Sequence, residues 1–347
     1  MIESDMSNPI VQEARGIILE VIEEQFEDYS TRKVTLLAHS FDKFFNYTEG
    51  EGIKVLEHFD WGNYTFQEKR DGSLLRVWYY KGKWRVSTSG TIDAKKATID
   101  IPSNPYGSFE DMFLNIVREY GDVYFINLNE NYTYSFEMTG PENKIVVDYD
   151  KNELTLIGIR DNITNKELDI YKVNPFKSIK TPRRWAFDKD METALMNVNS
   201  WSNFEGLVLT DAYFNRVKIK TEEYVALHRM ADETSSDRGV MSIILNGTID
   251  DVVNRLPHLQ ARVDRIQEFL RQEAEGIEKL INSIDYSQDR KTIALQIKDN
   301  EYSMHGFNKI KNPDYDYRDY FVVDNVERFY KKYKDKYNIV EEIREVE

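Results

Sequence analysis

The chain has 347 residues, with 46 lysines and arginines against 61 aspartates and glutamates and a formal net charge of −15. Such an acidic chain is a poor non-specific binder of polyphosphate, so any nucleic acid must be held at a local basic patch. The absence of cysteine excludes disulfides, thiolate metal sites and a cysteine nucleophile, and the five histidines lack the spacing of a zinc site. With 41% hydrophobic and 31% charged residues, the composition is globular, and the length suits two domains. No apolar run approaches the roughly 18 residues of a membrane span. The acidic Met1-Ile2-Glu3-Ser4-Asp5 lacks the apolar core of a signal peptide, so a cytoplasmic location is expected.

In chain order, the stretch from Arg15 to Leu227 reads as β-rich with helical insertions. Strands are predicted at Gly16–Val21, Lys33–Ala38, Tyr64–Glu68, Leu74–Tyr80, Trp84–Ser87 and Tyr132–Met138. Others follow at Lys144–Tyr149, Leu154–Arg160, Gly206–Thr210 and Arg216–Lys220, each β-branched or aromatic and bounded by Gly, Asp, Asn or Pro. Asp71-Gly72 reads as a hairpin turn, as does Asp150-Lys151-Asn152. Helical spacing marks Phe109–Tyr120 and Lys189–Val198. Without βαβ alternation this is an α+β domain on antiparallel sheet, expected over 1–235. A small all-helical domain is expected over 236–347. There Val252, Leu256, Leu259, Val263, Ile266 and Leu270 form an apolar seam, and Pro257 predicts a break before one long helix. Thr292–Ile297 and Asp319–Tyr333 read as further helices.

Four segments carry possible chemistry. Lys69 stands at the mouth of the Asp71-Gly72 turn. Most such lysines are solvated, but one that is desolvated or crowded by cations loses its proton and becomes a nucleophile. Glu137 carries its carboxylate on the side of its strand opposite Phe136, and Glu205-Gly206 opens an apolar strand. Val217-Lys218-Ile219-Lys220 alternates strictly, so both lysines leave one face, an arrangement suited to an anion between them. Two basic clusters are candidate nucleic-acid contacts, though such clusters are more often solvated faces. They are Lys172, Lys177, Lys180, Arg183 and Arg184, and then Lys331-Lys332-Tyr333-Lys334.

Taken in order, Lys69-x-Asp71-Gly72, Phe136-Glu137, Glu205-Gly206 and Lys218-x-Lys220 resemble the motifs of covalent nucleotidyltransferases, the ATP-dependent ligases and capping enzymes. Glu13-Ala14-Arg15-Gly16-Ile17, Phe41-Asp42-Lys43-Phe44-Phe45-Asn46 and Gly140–Val146 are similar to flanking segments of the bacteriophage RNA ligase 1 family. So are Tyr224–His228 and Asp289–Thr292. The resemblance runs from Arg15 to Thr292 and is strongest between Lys43 and His228. It implies a nucleotidyltransferase (adenylation) domain followed by a helical domain that selects RNA. The implied activity is ATP-dependent RNA ligation, joining 5′-phosphate and 3′-hydroxyl ends through a lysyl-AMP and an RNA-adenylate. Single-stranded RNA or a nicked tRNA loop would be the partner, in RNA (tRNA) repair, with no protein partner evident and a monomer expected.

The resemblance also implies roles. Lys69 would attack the α-phosphate of ATP. Lys218 and Lys220 would neutralise charge there and lower the Lys69 pKa. Glu137 would hold the ribose or a magnesium-bound water, and Glu205 the metal or the nucleoside. Arg15 and Lys43 would grip the outer phosphates, with Phe44 or Phe45 packed near the nucleotide. Asp71 and Gly72 belong to the same binding turn, and Tyr224 and Ser89 complete the candidate set. Asp250 is a metal-ligand candidate or, equally, an N-cap. The cation implied is magnesium, with manganese able to substitute. Where the family carries a second lysine pair this chain has Ser87-Thr88-Ser89-Gly90-Thr91, and only 14 residues precede Arg15. No OB-fold is readable after Lys220, which argues against a DNA ligase or a capping enzyme of the usual build. A capping-type guanylyltransferase and a non-catalytic nucleotide- or RNA-binding relative stay open as alternatives.

Overall fold

The computed structural model describes residues 7–25, 30–99, 104–121, 128–185 and 191–339. Met1–Asp5 and the expected helix start at Lys189 lie outside them. The chain divides into two units, Met1–Ala226 and Leu227–Val346. The first contains α1 (Pro9–Glu13), β1 (Ile18–Gln25), β2 (Ser30–Ala38), β3 (Phe45–Asn46), α2 (Gly50–Glu57), β4 (Tyr64–Lys69), β5 (Ser73–Tyr80) and β6 (Lys83–Thr88). It continues with α3 (Phe109–Glu119), β7 (Tyr132–Thr139), β8 (Glu153–Asp161), β9 (Lys166–Leu168), α4 (Ile170–Val173), β10 (Arg184–Trp185), α5 (Met191–Asn199), β11 (Gly206–Asp211) and β12 (Arg216–Lys220). Then α6 (Glu222–Glu233) runs across the division.

β1 and β2 form an antiparallel ribbon. One five-stranded sheet has the order β10-β4-β11-β12-β3, and a second the order β6-β5-β7-β8-β9. All pairings are antiparallel except β12 with β3. The second sheet buries Leu75, Phe136, Met138 and Leu156 against Met112, Phe113 and Ile116 of α3. Those helical positions recur with a spacing near 3.6 residues, and Ser108 caps the helix by accepting from the Asp111 amide. The first sheet buries Phe66, Leu207, Leu209, Val217 and Ile219 against Ala194 and Val198 of α5. Each large apolar side chain removed from water contributes roughly 1.5–3 kcal/mol, so the two sheets are stiff walls for whatever lies between them.

Three sequence expectations fail here. β4 and β5 are not a hairpin, because β4 pairs with β10 and β11 while β5 pairs with β6 and β7. The Asp71-Gly72 turn therefore passes the chain from one sheet to the other. A Cβ on Gly72 would stand 2.1 Å from the Met138 carbonyl oxygen, so only glycine allows this approach. Lys144–Tyr149 is no strand either, and Asp150-Lys151-Asn152 closes no hairpin. The amides of Val146 and Val147 both donate to Asp71 Oδ2 at 2.8 Å, and that of Asp148 to Asn203 Oδ1 at 2.7 Å. Side chains take the place of a strand ladder.

The second unit contains α7 (Asp237–Leu245), α8 (Ile249–Arg255), α9 (Gln260–Ser283), α10 (Arg290–Ile297), α11 (Ser303–Lys311) and α12 (Val326–Tyr337). The break at Pro257 and the long helix after it are present. Val263, Ile266, Phe269 and Leu270 of α9 pack with Val240 and Met241 of α7 and with Phe329 and Tyr333 of α12. The helix expected from Asp319 begins only at Val326, since Val322 is extended and splits two short 3₁₀ turns before it. Among the described residues, no helix is long and apolar enough to cross a membrane.

Candidate active site

Because consecutive strands leave for different sheets, Lys69 ends β4 on the wall of a cleft between them. The cleft holds a cavity of about 260 Å³. From the first sheet it is lined by Gln67, Lys69, Val208, Arg216 and Lys218, and from the second by Leu74, Glu137 and Ile157, with Arg15, Phe41, Phe44 and Ser89 around them. Ladder register aligns the polar set: Gly206 pairs with both Lys69 and Lys220, Val208 with Lys218, and Leu74 with Glu137.

Lys69 Nζ lies 2.8 Å from Glu205 Oε1, and Lys220 Nζ lies 3.6 Å from the same oxygen. The other Glu205 oxygen, Oε2, is buried without a hydrogen-bond partner. Glu137 Oε1 accepts from the Gly72 amide at 3.1 Å. Behind the turn, Asp71 is 2% exposed and fully engaged. It accepts from Val146, Val147 and the Tyr224 hydroxyl, and its amide donates to the Tyr149 hydroxyl at 2.9 Å. Val217 and Ile219 are buried, so Lys218 and Lys220 emerge together on the other face as the alternation requires.

The electrostatics correct one expectation. Burial, the largest single influence, pushes the Lys69 ammonium down, but Glu205, Glu137 and Asp71 together outweigh it, and the net direction is up. The protein without ligand therefore keeps this lysine charged. Its neighbour Lys218 is lowered, by burial first and then by Lys220 and Lys69. Burial raises Glu137 to about 7 against the opposing pull of Lys69. Glu205 is also raised, by burial above all. Two carboxyls held up by desolvation, one with an orphaned oxygen, form a place where added positive charge is favoured. Among the described residues no cluster of three or more metal-competent side chains exists. A two-carboxylate set suits magnesium, which keeps waters and takes phosphate oxygens.

Other expected residues are placed as follows. Arg15 and Ser89 line the cavity. Lys43 is not among the lining residues and sits 5.0 Å from the Phe45 ring centroid. Phe45 is buried and pairs with Val217, whereas Phe44 faces the cavity, with Lys218 Nζ 6.0 Å from its ring centroid. Asp250 is in the second unit, exposed in the first turn of α8; Thr248 holds the N-cap position. Of the first basic cluster, Arg183 is tied to Glu68 at 2.8 Å, Lys172 to Asp169 at 3.0 Å, and Arg184 lies 3.9 Å from the Tyr171 ring centroid.

Sequence reasoning missed Ile157. Ser135 pairs with Gly158 and Phe136 with Leu156, so Ile157 is the extra residue of a β-bulge, which re-aims its side chain into the cavity. It also missed the support of the Phe41–Phe44 segment. Buried Arg160 donates to the Ser40 carbonyl at 2.6 Å and pairs with Asp42 and Glu167, and Arg216 pairs with Glu167 in turn.

A lysine amine paired with a carboxylate, two further lysines two strands away in the same sheet and an apolar slot form an arrangement suited to a nucleoside phosphate. The sequence profile of an RNA ligase family matches residues 13–224. The chain belongs to that family, the phage-type RNA ligase 1 group of nucleotidyltransferases. Among curated proteins it is 26% identical over 275 residues to a bifunctional polynucleotide kinase/RNA ligase of Autographa californica nuclear polyhedrosis virus, covering 75% of this chain and 37% of that one. It is 22% identical over 292 residues to an RNA ligase of Rhodothermus phage RM378, covering 67% and 65%. The chain thus spans less than two thirds of the length of either relative. An archaeal ATP-dependent RNA ligase overlaps with a TM-score of 0.44 at 14% identity, over 76% of this chain and 78% of that one. That overlap is too loose to bear on function.

Proposed function

We propose that this chain is an ATP-dependent RNA ligase that joins 5′-phosphate and 3′-hydroxyl RNA ends through Lys69. The observation that carries the reading is the Lys69–Glu205 pair, with an unpartnered carboxylate oxygen behind it and Lys218 on the same cavity wall. In the first step Lys69 Nζ attacks the α-phosphorus of ATP. The N–P bond forms, the bond to the bridging oxygen breaks, and pyrophosphate leaves. The proton lost by Lys69 has Glu205 Oε1 as its nearest acceptor. Lys218 and Lys220 offset the charge that builds on the α-phosphate oxygens. Phe44, Ile157 and Val208 give the nucleoside apolar walls, and Arg15 serves the outer phosphates.

In the second step an oxygen of the RNA 5′-phosphate attacks the same phosphorus, the N–P bond breaks, and Lys69 regains a proton. In the third, a 3′-hydroxyl attacks the 5′-phosphorus and AMP leaves. Glu205 and Glu137 would hold magnesium, which would supply positive charge to the phosphates. On this reading the enzyme acts as a monomer in the cytoplasm, in RNA (tRNA) repair, with the helical unit selecting the RNA.

The test is ligation of a 5′-phosphorylated, 3′-hydroxyl RNA with ATP and magnesium. A sealed product and a transient RNA-adenylate are expected, both absent in Lys69→Ala. Sealing by that variant, or an adduct formed from GTP and not ATP, contradicts the reading.

A further inference from the structure

The second unit contains a cavity of its own, of about 240 Å³. That is below the roughly 300–1,000 Å³ of pockets for drug-sized ligands, and it suits a single planar group. Glu273 of α9 forms its floor. Tyr302 and Tyr320 line it, His305 stands edge-on to Tyr320 at 4.7 Å between centroids, and Arg328 and Lys332 of α12 line it too, Lys332 lying 3.6 Å from the lining carboxylate of Glu301.

Glu273 does not belong there for stability. It is 6% exposed and interrupts the apolar seam between Leu270 and Ile277, where an aliphatic residue serves as well as a buried ion pair or better. Its carboxylate accepts from the Tyr302 hydroxyl at 3.2 Å and from Lys332 Nζ at 2.7 Å. An ionised carboxylate offers about four acceptor positions, so about two remain.

The wall is bought by a second local sacrifice. Gly276, in the interior of the 24-residue α9, costs roughly 1 kcal/mol relative to alanine. A Cβ there would meet the Tyr302 ring at 2.3 Å, so the glycine is what lets the ring lie against the helix. On α12, Arg328, Lys331 and Lys332 fall at i, i+3 and i+4, a cationic face on an otherwise acidic protein. Arg328 is exposed and has no ion-pair partner among the described residues.

A carboxylate with spare acceptors, an ammonium beside it, aromatic plates and an outer row of cations define a ligand. It presents two adjacent N–H donors next to a carbonyl oxygen, on a flat ring attached to phosphates. Guanine has that edge, through N1–H, the 2-amino group and O6. Adenine puts a lone pair where guanine has N1–H, and uracil and cytosine each lack one of the donors. We propose that this cavity receives an unstacked guanine of the RNA substrate, with Glu273 reading its Watson–Crick edge and Arg328 at a flanking phosphate, while Lys332 turns from its place 4.4 Å over the Tyr302 ring centroid to O6 and leaves that ring to stack on the base. Single-stranded loops, whose bases splay out onto aromatic side chains, are the RNA elements read this way. The inference rests on the RNA-ligase reading for the identity of the ligand.

The test uses the full chain and fluorescent 5′-phosphorylated hairpin RNAs that differ at one loop position: guanine, inosine or adenine. Guanine is expected to bind about tenfold or more tighter than adenine, as a bidentate base contact provides, with inosine, lacking the 2-amino group, between them. Glu273→Gln is expected to abolish the preference, and Tyr302→Phe, which keeps the ring, to retain it. Equal binding of the three RNAs by the unaltered protein overturns the inference, as does a preference that survives Glu273→Gln. The AMP adduct on Lys69, followed in the same proteins, is expected to be unchanged by Glu273→Gln. Its absence throughout would sink the ligase reading, while the base preference still decides this one.

Discussion

The Tyr224 hydroxyl donates to Asp71 Oδ1 at 2.8 Å, joining residues 153 apart at the turn that carries the chain from Lys69 into the second sheet. With the Val146 and Val147 amides on Oδ2, Asp71 is the acceptor for three donors. Asp71→Ala strands all three, at roughly 1–3 kcal/mol for each one left buried and unpaired. A thermal midpoint lower by several degrees is expected, together with loss of AMP transfer. Asp71→Asn, which keeps an acceptor for the paired amides, is expected to be much milder on stability. Equal stability of the alanine variant and the parent would contradict this account of the turn.

Glu137 gives a pH signature. Its folded pKa is about 7, raised by burial from an ordinary 4.5. A carboxyl raised on folding binds more protons native than unfolded between those values, so stability falls as pH rises through that window. Glu137→Gln removes the cost. Denaturant titrations are expected to show the variant and the parent close near pH 4.5, with the variant gaining up to about 3 kcal/mol by pH 8. A constant gap across that range would rule the assignment out.

Glu205, with Glu137 and Asp71, holds the Lys69 ammonium charged against the pull of burial. In Glu205→Gln burial is no longer opposed by its nearest partner. The Lys69 amine is then expected to react faster than in the parent with an amine-directed acylating reagent at pH 8, read by peptide mass. AMP transfer from ATP is expected to fall roughly 10²–10³-fold, the scale of losing one pre-organised charge stabiliser. Slower acylation in the variant would mean that Glu205 does not set the charge of this lysine.

Lys218 sits in an unfavourable field, lowered by burial, then by Lys220 and Lys69. Lys218→Ala relieves that repulsion, so its unfolding midpoint is expected to equal or exceed the parent's. Its rate of AMP transfer is expected to drop about 10²–10³-fold. Opposite effects on stability and rate mark a residue kept for chemistry. A destabilised variant with normal transfer would assign Lys218 to the scaffold instead.

Much of this architecture was legible because it depends on local alternation. Val217-Lys218-Ile219-Lys220 sends its lysines to one face, Phe136 and Glu137 to opposite faces, and Pro257 ends one helix before another. What was not legible depends on distant partners. Asp71-Gly72 announces a turn, but only the pairing of Lys69 with Gly206 shows that β4 belongs to another sheet from β5. Val146 and Val147 look like strand residues until Asp71 takes their amides. The cations around Lys69 were readable from spacing, whereas the carboxylates that outweigh them come together only through the fold. Phe44 and Phe45 are indistinguishable by type, and the register of Phe45 against Val217 decides which of them faces the cavity.

The central claim is a covalent one, that the Lys69 amine captures AMP. Incubation with ATP and magnesium followed by peptide mapping under conditions that preserve phosphoramidates tests it. The account predicts one AMP per chain, on the peptide containing Lys69 and removed by pyrophosphate. An adduct on another residue, or an unmodified chain that still seals RNA, would contradict it.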